Sequence, residues 1–247
     1  MEIVVGPGHF QGATDEVKMV KKFLGIYQLK AVSVHCDLQI LDPPDIETFK
    51  TAKQVILRNL DLASELGGKF LVIHSYIFAD PDDIIVDKDG GLHPGLSVFK
   101  GVDNPKSGML DRVKDGLALY AEEAAKREVS VALETDTRKN EYLPQFIERA
   151  DPEHCGICFD SGHAQIQKDA VQFARLLAPA VVCTHLHDND GKSDLHLAPF
   201  KGVIDWERLM REFIKAGYRG DFTFECRGDI RDVVAGREKI RKMLKNS

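Results

Sequence analysis

The sequence has few of the features that mark secreted or membrane proteins. It contains five cysteines and one tryptophan among 247 residues. No apolar run approaches the ~20 residues that a membrane-spanning helix needs. The opening residues, MEIVVGPGHFQG, have neither the basic start nor the apolar core of a signal peptide. These absences predict a cytoplasmic protein with no membrane partner.

An excess of basic residues is also missing. The formal net charge is −6 and the isoelectric point is about 5.9, which argues against a nucleic-acid-binding surface. The cysteines suggest no disulfide framework. Cys155 and Cys158 have CxxC spacing but run into a predicted strand instead of opening a helix, which disfavours a redox or zinc role.

What the sequence does have is a series of strand-like segments that end in metal-binding residues. The carboxyl ends of parallel strands converge on one mouth of a (β/α) barrel, so these side chains are expected to meet there. The segments are VSVH (His35), LVIH (His74), VALE (Glu134), CFD (Asp160), CTH (His185) and FTFE (Glu225).

Strand and helix patterns alternate along the chain. Strands that are apolar on both faces and separated by helices predict an α/β fold, and a length near ~250 residues suits one TIM-type (β/α) barrel. We expect a single domain over 1–247 with seven recognisable β/α units, the first unit being missing. An unclosed parallel sheet would leave edge strands to cover, which suggests a homo-oligomer. The predicted strands are 2–6, 30–36, 70–75, 130–135, 156–160, 181–187 and 222–226. The predicted helices are 14–29, 45–66, 109–127, 141–150, 167–178, 205–216 and 229–245.

A long insertion at 76–108 follows the third strand and is rich in Gly, Pro and Asp. A loop of this length inside a domain is uncommon unless it is functional. Because it leaves the ligand-bearing end of the strand, it is predicted to be a lid over the site. A surface excursion with a small hairpin is the alternative.

Four strand-end residues form a candidate metal set: Glu134, Asp160, His185 and Glu225. Each acidic residue alone is typical of a helix N-cap or a salt-bridge partner. Together, a mixed oxygen and nitrogen set suits one divalent ion such as Mn²⁺, Co²⁺, Fe²⁺ or Zn²⁺.

Further histidines and cations extend the candidate site. Additional metal or substrate ligands are His35, His74, His163, Asp194 and His196. His187 shares a strand face with His185 and is either a substrate contact or a hydrogen-bonded core residue. Lys192 and Arg227 follow the last two strands, where barrels often bind phosphate, although each could equally be a solvated surface cation.

Three segments, FDSGHA, HLHDNDGKSDLH and VIDWERLMREFIKAGYRGDFTFE, resemble the xylose isomerase-like TIM-barrel superfamily. This superfamily includes sugar and sugar phosphate isomerases and epimerases, and endonuclease IV. The resemblance to the epimerases implies one divalent ion held by the four strand-end residues, with His163 contacting a substrate oxygen. Glu134 and Glu225 would then transfer protons at a sugar carbon through an enediolate.

The resemblance to endonuclease IV implies a different function. That branch holds three zinc ions with a larger ligand set and acts as a phosphodiesterase on abasic DNA. Candidates for all of its extra positions are present here. The acidic chain, and Leu38 where the DNA enzymes carry an aromatic residue, favour a sugar substrate. A metal-dependent dehydratase and a non-catalytic binding module remain as alternatives.

Overall fold

The computed structural model describes residues 1–5, 12–36, 46–74, 84–86, 92–94, 108–136 and 140–245. Leu38 and most of the predicted lid at 76–108 lie outside these residues. Within 76–108, the structure describes two short antiparallel strands, Ile84–Val86 and Leu92–Pro94, and the turn residue Gly108. The lid therefore stays a prediction.

Strands occur at all seven predicted positions, so that part of the sequence interpretation is confirmed. The strands are β1 (Glu2–Val5), β2 (Ser33–Cys36), β3 (Phe70–His74), β4 (Ile84–Val86), β5 (Leu92–Pro94), β6 (Ser130–Glu134), β7 (Cys155–Asp160), β8 (Val181–Leu186) and β9 (Thr223–Phe224). The helices are α1 (Thr14–Ile26), α2 (Ile46–Glu65), α3 (Met109–Ala125), α4 (Leu143–Phe146), α5 (Ser161–Gln167), α6 (Ala170–Leu177), α7 (Trp206–Lys215) and α8 (Ile230–Lys245).

The described strands form a seven-stranded sheet in the order β1-β2-β3-β6-β7-β8-β9, with β4 and β5 as a separate pair. The pairs β1–β2, β2–β3, β7–β8 and β8–β9 are parallel. Register in the β7–β8 pair places Asp160 directly opposite His185. Parallel pairing with helices between the strands confirms the predicted α/β class.

The chain divides into two compact units, each with its own packing. The first unit comprises Met1–Leu133 and Gln145–Gly156. In it, α2 packs on β2 and β3 through an apolar face at helical spacing that includes Ala52, Ile56, Leu60 and Ala63. In contrast, α1 buries only Val17.

The second unit comprises Glu134–Pro144 and Ile157–Ser247. Aspartate side chains cap three of its helices, because Asp160, Asp169 and Asp205 accept hydrogen bonds from free backbone N–H groups at the starts of α5, α6 and α7. The core between α6 and α7 is aromatic and aliphatic, with Phe159 and Phe213 in edge-to-face contact.

Two helix predictions need correction. The helix predicted over 141–150 is a 3₁₀ turn, Asn140–Tyr142, followed by the single-turn α4. The helix α5 was not predicted at all. It begins directly at the strand end because the Asp160 side chain accepts the backbone N–H of His163 and so starts the helix without a loop.

Two further properties bear on function. Across the residues that the structure describes, no helix combines the length and apolar character needed to cross a bilayer. The five cysteines are free thiols, and burial raises the pKa of Cys155 to about 12. The CxxC spacing therefore creates no reactive thiolate at Cys155.

Candidate metal centre

Four residues of the second unit meet at the ends of its strands. We call Glu134, Asp160, His185 and Glu225 the strand-end cluster. Each offers one ligand atom, and these atoms all lie within 4.8 Å of one another. The sheet produces this convergence, since Asp160 lies opposite His185 and the backbone N–H of Glu225 donates to Leu186 O beside it.

His185 lies between the two glutamates of the strand-end cluster. Its Nδ1 is 2.7 Å from Glu134 Oε1 and 3.0 Å from Glu225 Oε2. The side chains of Glu134 and His185 are buried, whereas that of Glu225 is 32% exposed. The two carboxylates thus converge on one ring nitrogen, and only Glu225 also faces solvent.

Asp160 serves both as a helix cap and as a member of the cluster. Its Oδ1 accepts the His163 N–H at 2.7 Å. Its other oxygen, Oδ2, is buried and has no hydrogen-bond partner among the described residues. Burial alone would raise the pKa of Asp160, but the charges of His163 and His187 outweigh it and hold the pKa below its usual range.

The strand-end cluster fits a divalent cation. Three carboxylates and one imidazole are an ordinary ligand set for Mn²⁺, Co²⁺, Fe²⁺ or Zn²⁺. A buried carboxylate oxygen without a hydrogen bond is costly, and coordination to a cation would satisfy it.

A second group lies next to the first. We call His163, His187, Asp194 and His196 the histidine cluster, whose ligand atoms also lie within 4.8 Å of one another. The two clusters touch, because His187 Nε2 is 3.0 Å and His163 Nδ1 is 3.8 Å from Asp160 Oδ1.

Backbone carbonyls orient two rings of the histidine cluster. His163 Nδ1 lies 2.9 Å from Thr135 O, and His196 Nδ1 lies 2.9 Å from Glu225 O. A carbonyl only accepts, so each Nδ1 carries a proton and donates it. The Nε2 atoms then face Asp194 Oδ2, at 3.6 Å from His163 and 3.0 Å from His196. Metal-binding histidines are commonly oriented in this way.

Charge pairing within the histidine cluster shifts its pKa values. Burial lowers the pKa of His163, but Asp160 and Asp194 outweigh it and raise this pKa well above its usual value. Burial also lowers the pKa of His196, and here Asp194 and the Glu225 carbonyl outweigh it and raise the pKa. Burial would raise the pKa of Asp194, but hydrogen bonds from both histidines hold that pKa far below normal.

His187 is tightly packed within the histidine cluster. It is fully buried, and its ring stacks on His196 with centroids 4.1 Å apart and planes at 10°. A Cβ at Gly162 would lie 1.9 Å from this ring, so any residue other than glycine at this position would clash with it. The sequence suggested that His187 is either a substrate contact or a hydrogen-bonded core residue, and did not place it in the histidine cluster.

A buried aspartate fixes the loop that carries Asp194 and His196. Asp188 accepts hydrogen bonds from the backbone of Asn189, Phe200 and Ile204 and from the indole N–H of Trp206 at 2.8 Å. This role was not predicted. The only available signal in the sequence was the acidic residue directly after His187 in HLHDND.

Four further predicted site residues, His35, His74, Lys192 and Arg227, have contacts of their own. In the first unit, His35 Nε2 is 3.2 Å from His74 Nε2, and His35 Nδ1 is 3.7 Å from Glu2, which the sequence did not single out. In the second unit, Lys192 and Arg227 are exposed. Their backbone N–H groups donate to Asp190 and to His196 O, respectively.

A family described as xylose isomerase-like TIM barrel matches residues 1–246. The chain therefore belongs to the xylose isomerase-like TIM-barrel family, which confirms the resemblance seen in its motifs and the predicted barrel class.

The curated relatives are themselves uncharacterised, so they indicate no activity for this chain. The chain is 26% identical over 178 residues to the uncharacterised protein y4fM of Sinorhizobium fredii, covering 70% of this chain and 51% of the relative. It is 30% identical over 107 residues to the uncharacterised protein MJ1311 of Methanocaldococcus jannaschii, covering 42% and 36% respectively. The matches span about half or less of these relatives' length.

Solved structures share the fold at low identity. A D-tagatose 3-epimerase-like protein superposes with a TM-score of 0.77 at 23% identity, over 99% of this chain and 87% of that one. D-Psicose 3-epimerase with D-tagatose, from Clostridium cellulolyticum, gives 0.75 at 16%, over 98% and 88%. The TTHB071 protein of Thermus thermophilus, soaked with ZnCl₂, gives 0.71 at 22%, over 100% and 88%.

Proposed function

We propose that this protein is a divalent-metal-dependent isomerase or epimerase of a small sugar. The observation that carries the proposal is the convergence of Glu134 and Glu225 on His185 Nδ1, beside the buried carboxylate of Asp160. If a substrate carbon lies between these two carboxylates, one can remove a proton from one face of the carbon and the other can return a proton to the opposite face. The solved structures that resemble this chain, which include D-tagatose and D-psicose 3-epimerases, support a ketose as the substrate class.

Glu134, Asp160, His185 and Glu225 would hold the ion. When bound, a divalent cation in this position supplies Lewis acidity that polarises the carbonyl of a ketose and acidifies the neighbouring C–H bond. The donor set favours no single metal among Mn²⁺, Co²⁺, Fe²⁺ and Zn²⁺.

In this proposal, Glu134 and Glu225 carry out the proton transfers. One removes the proton from the carbon next to the carbonyl, which gives an enediolate, and the other or the same one returns a proton. Return to the opposite face gives epimerisation, whereas return to the former carbonyl carbon gives isomerisation. Glu225 is the partly exposed member and can exchange its proton with water, whereas Glu134 is buried.

The histidine cluster would hold substrate oxygens in this proposal. His163 has its Nδ1 proton committed to Thr135 O, so its Nε2 is the ring atom that would face a ligand. Asp194 is 40% exposed and links His163 to His196 at the open side of the cluster. Sugar hydroxyls both donate and accept, which suits a mixed imidazole and carboxylate surface.

Proton exchange in D₂O tests the proposal directly. Protein stripped with chelator would be reloaded with Mn²⁺, Co²⁺ or Zn²⁺ and incubated with D-tagatose, D-psicose or L-ribulose. We expect metal-dependent incorporation of deuterium, seen by NMR, at C3 for an epimerase or at C1 for an isomerase. A product that has lost water would indicate a dehydratase. Absence of C–H exchange with every sugar and metal would contradict the proposal.

The histidine cluster also favours a second candidate, a zinc phosphodiesterase related to endonuclease IV. Its three imidazoles and one carboxylate are themselves a good zinc ligand set. Elemental analysis of protein purified without chelator separates the two functions. Three zinc ions per chain with incision of an abasic duplex would establish the phosphodiesterase, and one ion per chain without incision supports the sugar enzyme.

A further inference from the structure

Helix α1 carries apolar side chains on two opposite faces. One face holds the buried Val17 and the partly buried Val20 and Leu24. The other holds large side chains that are 49–65% exposed, and these continue into the turn that follows the helix. The exposed set, called here the α1 face, is Met19, Phe23, Ile26, Tyr27 and Leu29.

The α1 face is the largest contiguous set of exposed large apolar side chains among the residues that the structure describes. Its members follow helical spacing, and Phe23 stacks on Tyr27 with ring centroids 6.3 Å apart. In the second unit, Leu176 stands alone on its helix, and Ile230 and Val234 form a pair on α8. Single exposed apolar residues are ordinary, whereas contiguous patches mark interaction sites.

The backbone presents this face in a fixed shape. Gln28 has a φ of 52°, and Leu29 N–H donates to Leu24 O at 2.9 Å while Gln28 N–H donates to Gly25 O. This left-handed ending holds Leu29 against the last turn of α1. A preformed surface loses little conformational entropy on binding.

We propose that the α1 face is the contact between two copies of this chain, with the two α1 helices antiparallel about a two-fold axis at Phe23. The face is self-complementary under this symmetry. Met19 and Tyr27 are equidistant from Phe23 in sequence, so each would meet the other across the axis.

Charge at the two ends of the α1 face supports the antiparallel arrangement. Asp15 and Glu16 occupy the first turn of α1, and the exposed Lys30 follows its other end. An antiparallel partner brings this acidic turn to Lys30 of the other copy, whereas Lys22 lies beside the axis and would face its own copy. Such complementarity sets orientation more than affinity.

The available area is enough for a dimer of moderate affinity. Five large side chains that are about half exposed offer roughly 100 Å² each, which is about 1,000 Å² over two copies. That value is at the lower limit for a specific interface. We therefore expect dissociation in the micromolar range.

Sedimentation velocity of the full chain from 1 to 100 μM tests the dimer. We expect the mass to rise from 27.6 kDa towards twice that value as concentration increases. Phe23→Glu and Phe23→Lys would each place like charges across the axis and leave a monomer, with dissociation at least tenfold more favourable. Mixed in equal amounts, the two variants should restore the dimer, because only a residue that meets its own copy gives this result.

The matched control is Ile230→Glu, which adds the same charge at an exposed apolar residue of the second unit and should leave the mass unchanged. Tyr27→Lys repeats the test at a 65% exposed position, should Phe23 variants unfold in a thermal melt. A wild-type monomer at 100 μM, or a dimer that persists in both Phe23→Glu and Tyr27→Lys, would overturn the proposal.

Discussion

The strand-end cluster and the histidine cluster share one unit of the molecule and touch through Asp160, yet they differ in chemistry. The first has three carboxylates and one imidazole, and the second has three imidazoles and one carboxylate. A carboxylate-rich set suits a hard Lewis acid, whereas an imidazole-rich set suits zinc or the recognition of a polar ligand. The two candidate functions therefore differ in which of these clusters holds a metal.

The largest effect is expected from removing a proton-transfer group of the strand-end cluster. Glu225→Gln keeps the size and one oxygen donor but cannot accept a proton. Turnover at saturating metal should fall by roughly 10²–10⁴-fold, which is the usual contribution of general acid–base catalysis. The measurement is kcat for sugar epimerisation or isomerisation, together with the metal content of the same sample.

The matched control is Glu207→Gln on the exposed first turn of α7, which should keep normal turnover. Near-normal turnover in Glu225→Gln, with the metal bound, would remove Glu225 from the chemistry and leave it as a ligand only.

Metal content separates the two clusters next. On the sugar proposal, Asp160→Asn should lower the ion content from about one per chain to below about 0.1 after dialysis, since losing even supporting contacts to a metal costs 10–100-fold in affinity. His196→Ala should keep one ion per chain, because His196 belongs to the histidine cluster. Elemental analysis of both variants gives the answer.

The opposite pattern would favour the phosphodiesterase. If the wild type holds three ions and His196→Ala loses one of them, the histidine cluster is a metal site in its own right.

The sequence predicted that the four residues of the strand-end cluster would come together, and their ligand atoms lie within 4.8 Å of one another; their role as metal ligands stays a prediction. These four residues end or follow strands, and the direction of parallel strands alone brings such residues together. The same logic found Asp194 and His196 from the HLHDNDGKSDLH segment.

Pairwise geometry could not be predicted from those patterns. Nothing in the sequence shows that Asp160 uses one oxygen to cap α5 and leaves the other buried without a hydrogen bond among the described residues. The role of Asp188 depends on donors from 189 to 206, which only the folded loop brings together. The assignment of α5 failed for the same reason, because a side-chain cap replaced the expected loop.

Packing at the junction of the clusters should be sensitive to one methyl group. Gly162→Ala would place a Cβ 1.9 Å from the buried His187 ring, which must then move. Overpacking of this kind costs about 1–3 kcal/mol of unfolding free energy. Urea denaturation would measure it. Gly25→Ala in α1 is the control, since it has open space and should be neutral or slightly stabilising.

Equal stability of Gly162→Ala and wild type would show that the ring has room to shift.

The smallest expected effect is a difference in the pH dependence of metal binding. The raised pKa values of His163 and His196 mean that these rings keep their protons to higher pH, so a cation must displace them. The lowered pKa of Asp160 keeps that ligand ionised over the same range. Affinity should therefore fall more steeply with acidification at the histidine cluster, by up to about tenfold per pH unit for each displaced proton.

Zinc titrations at pH 6, 7 and 8 would measure this, with His196→Ala reporting mainly the strand-end cluster and Asp160→Asn mainly the histidine cluster. We expect the slope to be steeper in Asp160→Asn, because the histidine cluster contains His163 and His196, whose pKa values are raised. Equal slopes would mean that one mixed site binds the ion. The division into two clusters would then describe the packing of the side chains and not their chemistry.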